Sequence, residues 1–95
     1  MTLNTQCINF DIAEHLRQYI TKKTRRYEKL LPASAEMEIR MTVVKPETNL
    51  NKETRIRVSG FGAELFAQKT CDTFEQGIDE SLEAIDRQLE KQKDK

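Results

Sequence analysis

Residues 36–44 read EMEIRMTVV, and their alternation decides the fold. Met37, Ile39, Met41 and Val43 point one way, and Glu38, Arg40 and Thr42 point the other. A period of two belongs to a half-buried β-strand, because successive side chains leave opposite faces. A register slip of one residue would turn the whole apolar set to water. The strand therefore needs partners of the same kind and a layer that covers its apolar face.

Upstream, Leu3 to Asn9 shows a weaker alternation, Leu3, Thr5 and Cys7 against Asn4, Gln6 and Ile8, and reads as a first strand. Asp11 followed by Glu14 has the spacing of a capping box, so a helix is predicted from there to about Leu30, stopping before Pro32. Its apolar positions are Ile12, Leu16, Tyr19, Ile20, Tyr27, Leu30 and Leu31. From Lys22 onward it is basic: Lys22, Lys23, Arg25, Arg26 and Lys29 stand against Glu28 alone. Lys23 and Arg26 share the edge of the apolar stripe with Tyr19 and Leu30, where long stems can lie along a core and lift their charges over its rim. Lys22, Arg25 and Lys29 fall further out.

Downstream, Lys45 to Lys52 is a polar loop with one proline. Glu53 to Ser59 alternates again, Gly60-Phe61-Gly62 reads as a hairpin turn, and Ala63 to Thr70 pairs back as a fourth strand. Thr73 to Lys95 closes the chain as one long helix. Phe74, Ile78, Leu82, Ile85 and Leu89 recur with helical spacing on one side. Asp79, Glu83, Asp86, Glu90 and Asp94 recur on a second side, and Arg87, Lys91 and Lys95 on a third. Asp72 with Glu75, or Thr73 with Gln76, could cap its start.

The order is β-α-β-β-β-α, an α+β fold. The strand–helix–strand unit makes the first two strands parallel, and the short later connections make antiparallel neighbours. A four-stranded mixed sheet is expected, with the two helices packed side by side on one face and the other face wet. Between the helices runs a groove. Lys23 and Arg26 are expected to line it from the first helix, and Arg87, Lys91 and Lys95 from the last, with Lys22 and Lys29 in reserve and the acidic row turned to the far side. Two basic edges along a groove suit a phosphate backbone.

Composition narrows the classes. The 95 residues fit a single domain, 1–95. Sixteen bases balance sixteen acids, so a uniformly basic nucleic-acid binder is excluded and any basic surface is local. No signal peptide or membrane span is expected, and the location is read as cytoplasmic. Cys7 and Cys71 belong to no metal-binding spacing and read as small buried thiols. His15, the single histidine, falls on the polar side of its helix; no nucleophile–base pair and no phosphate loop is present, so neither an enzyme nor a cofactor is expected. Phe66 on the wet face, with Arg40, Arg55 and Arg57, could mimic a stacking surface, although one aromatic is fewer than RNA-binding sheets use.

The element order, together with Leu3-Asn4, Phe10-Asp11-Ile12 with Glu14, Leu16 and Arg17, and Ile78-Asp79 followed by Arg87-Gln88-Leu89-Glu90-Lys91, resembles the ribosome hibernation factors, the sigma-54 modulation family, in their short form. The resemblance implies a fold like a double-stranded-RNA-binding domain. It implies a small-ribosomal-subunit partner, bound through rRNA phosphates in the channel of messenger RNA and tRNA, and silencing of translation in stationary phase or starvation. Carried over, the rRNA contacts are Lys23, Arg26, Arg87, Lys91 and Lys95. Ala84 stands where the family commonly has lysine. The chain is expected to be monomeric off the ribosome, with no membrane and no small-molecule substrate. The competing reading is a protein-interaction module that uses the wet sheet face or the acidic row.

Overall fold

The computed structural model describes residues 1–8, 10–44 and 50–93. Asn9, most of the predicted Lys45–Lys52 loop, Asp94 and Lys95 lie outside the described residues. The elements are β1 (Thr2–Ile8), α1 (Glu14–Thr24), α2 (Tyr27–Leu30), β2 (Glu36–Val43), β3 (Lys52–Ser59), β4 (Leu65–Cys71) and α3 (Phe74–Lys93). One four-stranded sheet has the order β1-β2-β3-β4. β1 runs parallel to β2, and the other pairs are antiparallel. The expected mixed sheet with both long helices on one face is what forms.

The alternation of β2 does what its pattern requires. Met37, Ile39 and Met41 are fully buried beside Ile56 and Val58 of β3. From the helix layer, Leu16, Ile20, Tyr27, Ile78, Leu82 and Ile85 close the same core. α3 lies over β3 and β4, and α1 lies beside it toward β1. The cover over β1 is incomplete: Thr5 sits level with the buried Ile39 yet is exposed, and a cleft lined by Leu3, Cys7, Ile12 and Ile20 opens there.

The first helix differs from expectation at both ends. It begins at Glu14 with Ala13 as the N-cap and no side-chain cap bond, so Asp11 caps nothing. Phe10 is stacked on Phe74 with ring centroids 4.6 Å apart, which leaves Asp11 on the crossing from sheet to helix layer. After Thr24 the helix tightens. The Thr24 hydroxyl donates to the Ile20 carbonyl at 2.8 Å, and Glu28 and Lys29 bond three residues back, to Arg25 and Arg26. That is a single turn of 3₁₀ type, which a hydroxyl bonded back onto its own helix favours.

At α3 the two capping alternatives separate. The Gln76 N–H donates to the Thr73 hydroxyl at 3.2 Å, so Thr73 is the cap. Asp72 instead accepts the N–H of Leu50 at 2.8 Å, which ties the end of the β2–β3 connection to the start of α3. One turn on, α3 comes very close to the sheet: a Cβ on Gly77 would lie 2.6 Å from the Thr54 hydroxyl. The hairpin turn places Gly60 at φ +84°, with Ser34 close beneath.

Candidate nucleic-acid interface

The groove between α1 and α3 exists, but its charge is not the expected one. Lys22, Lys23 and Arg26 line it from one side, and Asp79, Glu83 and Asp86 from the other, with Leu82 at the floor. Three bases therefore face three acids. The expectation that α3 presents Arg87 and Lys91 to the groove, with its acids on the far side, is reversed among the described residues; the same expectation for Lys95 falls outside them.

The reason is which flank of α3 turns toward α1. Tyr19 donates to Asp79 Oδ2 at 2.6 Å, and the hydroxyl of the buried Tyr27 donates to Asp86 Oδ1. Lys23 Nζ lies 3.6 Å from Asp79 Oδ1, and Arg26 bonds Asp86 Oδ2 at 2.7 Å. Each base also stands over the neighbouring ring, Lys23 over Tyr19 at 5.4 Å and Arg26 over Tyr27 at 4.8 Å. The same unit of tyrosine, base and aspartate thus occurs twice along the helix pair. On the opposite flank, Gln88 reaches the edge of β4. Arg87 and Lys91 fall between these flanks, on the outward side of α3. Arg87 is exposed and pairs with Glu83 on its own helix at 2.7 Å. Lys91 is exposed, and Lys95 lies outside the described residues.

The charges answer to these contacts. Partial burial first, and then the hydrogen bond to Asp79 with the charges of Asp79 and Glu75, push the Tyr19 hydroxyl up to about 12. Tyr27 is raised further by burial and by Asp86, with Arg26 opposing. Desolvation pulls Arg26 down, but the hydrogen bonds and charges of Asp86 and Tyr27 together outweigh it, and the guanidinium is held charged more firmly.

Three bases beside these units have no carboxylate partner among the described residues, Lys22 at the lip of the groove and Arg25 and Lys29 beyond it. Lys22, Arg25 and Lys29 are all exposed and follow one another along the outer side of α1 and α2, forming an open basic ridge. Lys22 and Lys29 were expected as reserve contacts; Arg25 was not among the site residues. The signals that would have oriented α3 are its small positions. Gly77 and Ser81 are both buried, and they mark the flank pressed on the sheet, which leaves the aspartates facing α1. The tyrosine hydroxyls pointed the same way, since a buried phenol needs an acceptor.

The wet face is also balanced. Arg40, Arg55 and Arg57 lie within 3.7, 3.2 and 2.9 Å of Glu38, Glu53 and Glu64. Phe66 is half exposed beside them. Cys71 donates to Glu80 at 3.0 Å; burial first, then Glu80 and Asp72 against Lys69, push its thiol up to about 11. Cys7 is half-buried instead of buried, and both thiols are free. No group of acids, cysteines and histidine suited to a metal ion occurs among the described residues, and no helix of the described structure is long and apolar enough to cross a membrane.

The sequence model described as sigma 54 modulation protein / S30EA ribosomal protein matches residues 3–95. The chain belongs to that family. A ribosome hibernation promoting factor of Azotobacter vinelandii is 30% identical over 95 residues, covering all of this chain and 85% of that protein. Among solved structures, a ribosomal subunit interface protein from Coxiella burnetii superposes with a TM-score of 0.81 at 24% identity, covering the whole of both chains. The N-terminal domain of Protein Y from Thermus thermophilus gives 0.76 at 15% identity, over 96% of this chain and 98% of that one. At these identities the two structures speak for the fold of this family member.

Proposed function

We propose that the chain is a ribosome-associated hibernation factor that binds the small ribosomal subunit through rRNA phosphates, occupies the decoding channel and acts by occupancy, with no turnover. The match of residues 3–95 to the family carries this reading, together with the relative named as a ribosome hibernation promoting factor. The physical means is phosphate neutralisation. Lys22 and Lys29, joined by Arg25, are open to a polyanion without first leaving a carboxylate. Lys23, Arg26 and Arg87 contribute once they exchange their acids for phosphate, Lys91 is exposed beside Arg87, and Lys95 extends the Arg87–Lys91 row in the sequence. Steric overlap with messenger RNA and tRNA would then silence the particle, and stationary phase or starvation is where such silencing is useful.

Co-sedimentation with purified small subunits tests the reading. Binding is expected to weaken by roughly 0.7 to 0.9 log units per tenfold rise in salt for each phosphate neutralised. The K22E/K29E pair should abolish co-sedimentation while leaving the melting temperature near that of the parent. Normal co-sedimentation of this double variant would remove the ridge from the interface. If the unaltered chain does not pellet with small subunits at low salt, the reading itself fails.

A further inference from the structure

The two tyrosine–base–aspartate units hold more than the helices together. Asp79 and Asp86 each use one oxygen for a tyrosine and the other for a base. The bases so held, Lys23 and Arg26, line the groove, and Glu83 adds a third negative charge beside them. A phosphate entering the groove therefore meets an occupied guanidinium, an occupied ammonium and three carboxylates, with only Lys22 at the lip as an open base. We infer that Asp79 and Asp86 are specificity-determining residues, which mask Lys23 and Arg26 from sparse or weakly held phosphates and release them only to a dense phosphate surface. The inference deepens the ribosomal reading and rests on it for the identity of that surface.

The geometry makes the exchange feasible. The pairs are partly exposed: the side chains of Lys23 and Asp79 are 43% and 48% accessible, and those of Arg26 and Asp86 are 56% and 33%. Exposed ion pairs of this kind are weak, and a phosphate with a stronger local field can compete for the base. When the base leaves, the aspartate is not stranded, because the tyrosine hydroxyl still donates to it. This is the difference from the Arg57–Glu64 pair on the sheet, where the glutamate has no such second donor among the described residues. A single phosphate gains too little to overcome both the exchange and the three acids. Several phosphates at once, reached together with the open ridge of Lys22, Arg25 and Lys29, gain enough.

The test compares D79N/D86N with E53Q/E64Q, which removes the same charge from two sheet-face pairs. Asparagine keeps a carbonyl oxygen for each tyrosine, so the helix contact is retained; D79N alone, at the more exposed pair, serves should the double variant fold poorly. Each chain is titrated with poly(U) and with purified small subunits. D79N/D86N should bind poly(U) roughly three- to tenfold more tightly, the scale of two lost surface pairs, and should gain less on small subunits. E53Q/E64Q should gain less, since the Arg55 and Arg57 it frees lie on the sheet face, apart from the ridge of Lys22, Arg25 and Lys29, and cannot share its phosphates. Equal gains by the two variants on poly(U) would overturn the masking and leave the ribosomal reading intact. A selective gain on poly(U) with no small-subunit binding by any chain would sustain the masking and overturn the ribosomal reading.

Discussion

The side chain of Gln88 on α3 pairs with the backbone of Phe66 on β4 as a neighbouring strand residue would. Its Nε2 donates to the Phe66 carbonyl at 2.7 Å, and its Oε1 accepts the Phe66 N–H at 3.1 Å. β4 is an outer strand of the sheet, and unpaired strand edges invite another chain. Replacing Gln88 by alanine should cost about 1 kcal/mol for the lost bonds. It should also raise the fraction of dimer or larger species at high concentration, read by size-exclusion chromatography with light scattering. A monomeric Q88A chain of unchanged stability would show that the contact is incidental.

Gly77 sets how closely α3 approaches the sheet. A methyl group there would lie 2.6 Å from the Thr54 hydroxyl and 3.2 Å from its Cβ, and Thr54 is fully buried. Overpacking of this kind costs about 1–3 kcal/mol, against a helix-propensity gain near 1 kcal/mol. Gly77→Ala should therefore lower stability to urea, and Thr54→Ala in the same chain should restore part of the loss. Additive effects in that double-mutant cycle would argue against the contact.

Ser81 is buried one turn further along, and its hydroxyl has no hydrogen-bond partner among the described residues. A buried hydroxyl without a partner costs on the order of 1 kcal/mol or more. Ser81→Ala should leave the fold unchanged and raise the urea midpoint; a lowered midpoint would mean that a water satisfies the group.

The tyrosine pair gives the chain an alkaline limit. Tyr19, pushed up to about 12, keeps its proton in the fold after the unfolded chain, with an ordinary value of about 10, has begun to lose it. Stability from this group is complete below about pH 10 and is lost as the pH rises toward 12. Tyr27 is raised as well, and acts in the same direction. The melting temperature should fall more steeply above pH 10 in the parent than in Tyr19→Phe. Parallel curves would detach the phenol from the stability of the helix pair.

Much of this architecture was legible in the sequence, and the one reversal has a physical cause. Strand alternation is a local property, so Met37, Ile39 and Met41 revealed their buried face directly. The order of elements then gave the parallel β1–β2 pair and the antiparallel remainder. The side on which α3 meets α1 is not local. Its apolar stripe has two flanks of equal standing in a helical wheel, and the choice between them depends on which side chains press on the sheet. Gly77, Ser81 and Gln88 make that choice, and none of them is hydrophobic enough to register in an apolar pattern. Arg25 escaped for a related reason: a base is available to a ligand according to which acids lie near it, and Asp79 and Asp86 are sixty positions from Tyr19 and Arg26.

The thin cover over β1 divides the molecule unequally. β2, β3 and α3, with Tyr27 of α2, hold the largest fully buried side chains, whereas β1 contributes only half-buried Leu3 and Cys7 and an exposed Thr5. Local opening follows such differences, so the first strand can peel away and return while the remainder stays closed. A ligand that grips β1 would therefore stabilise the chain without touching its centre.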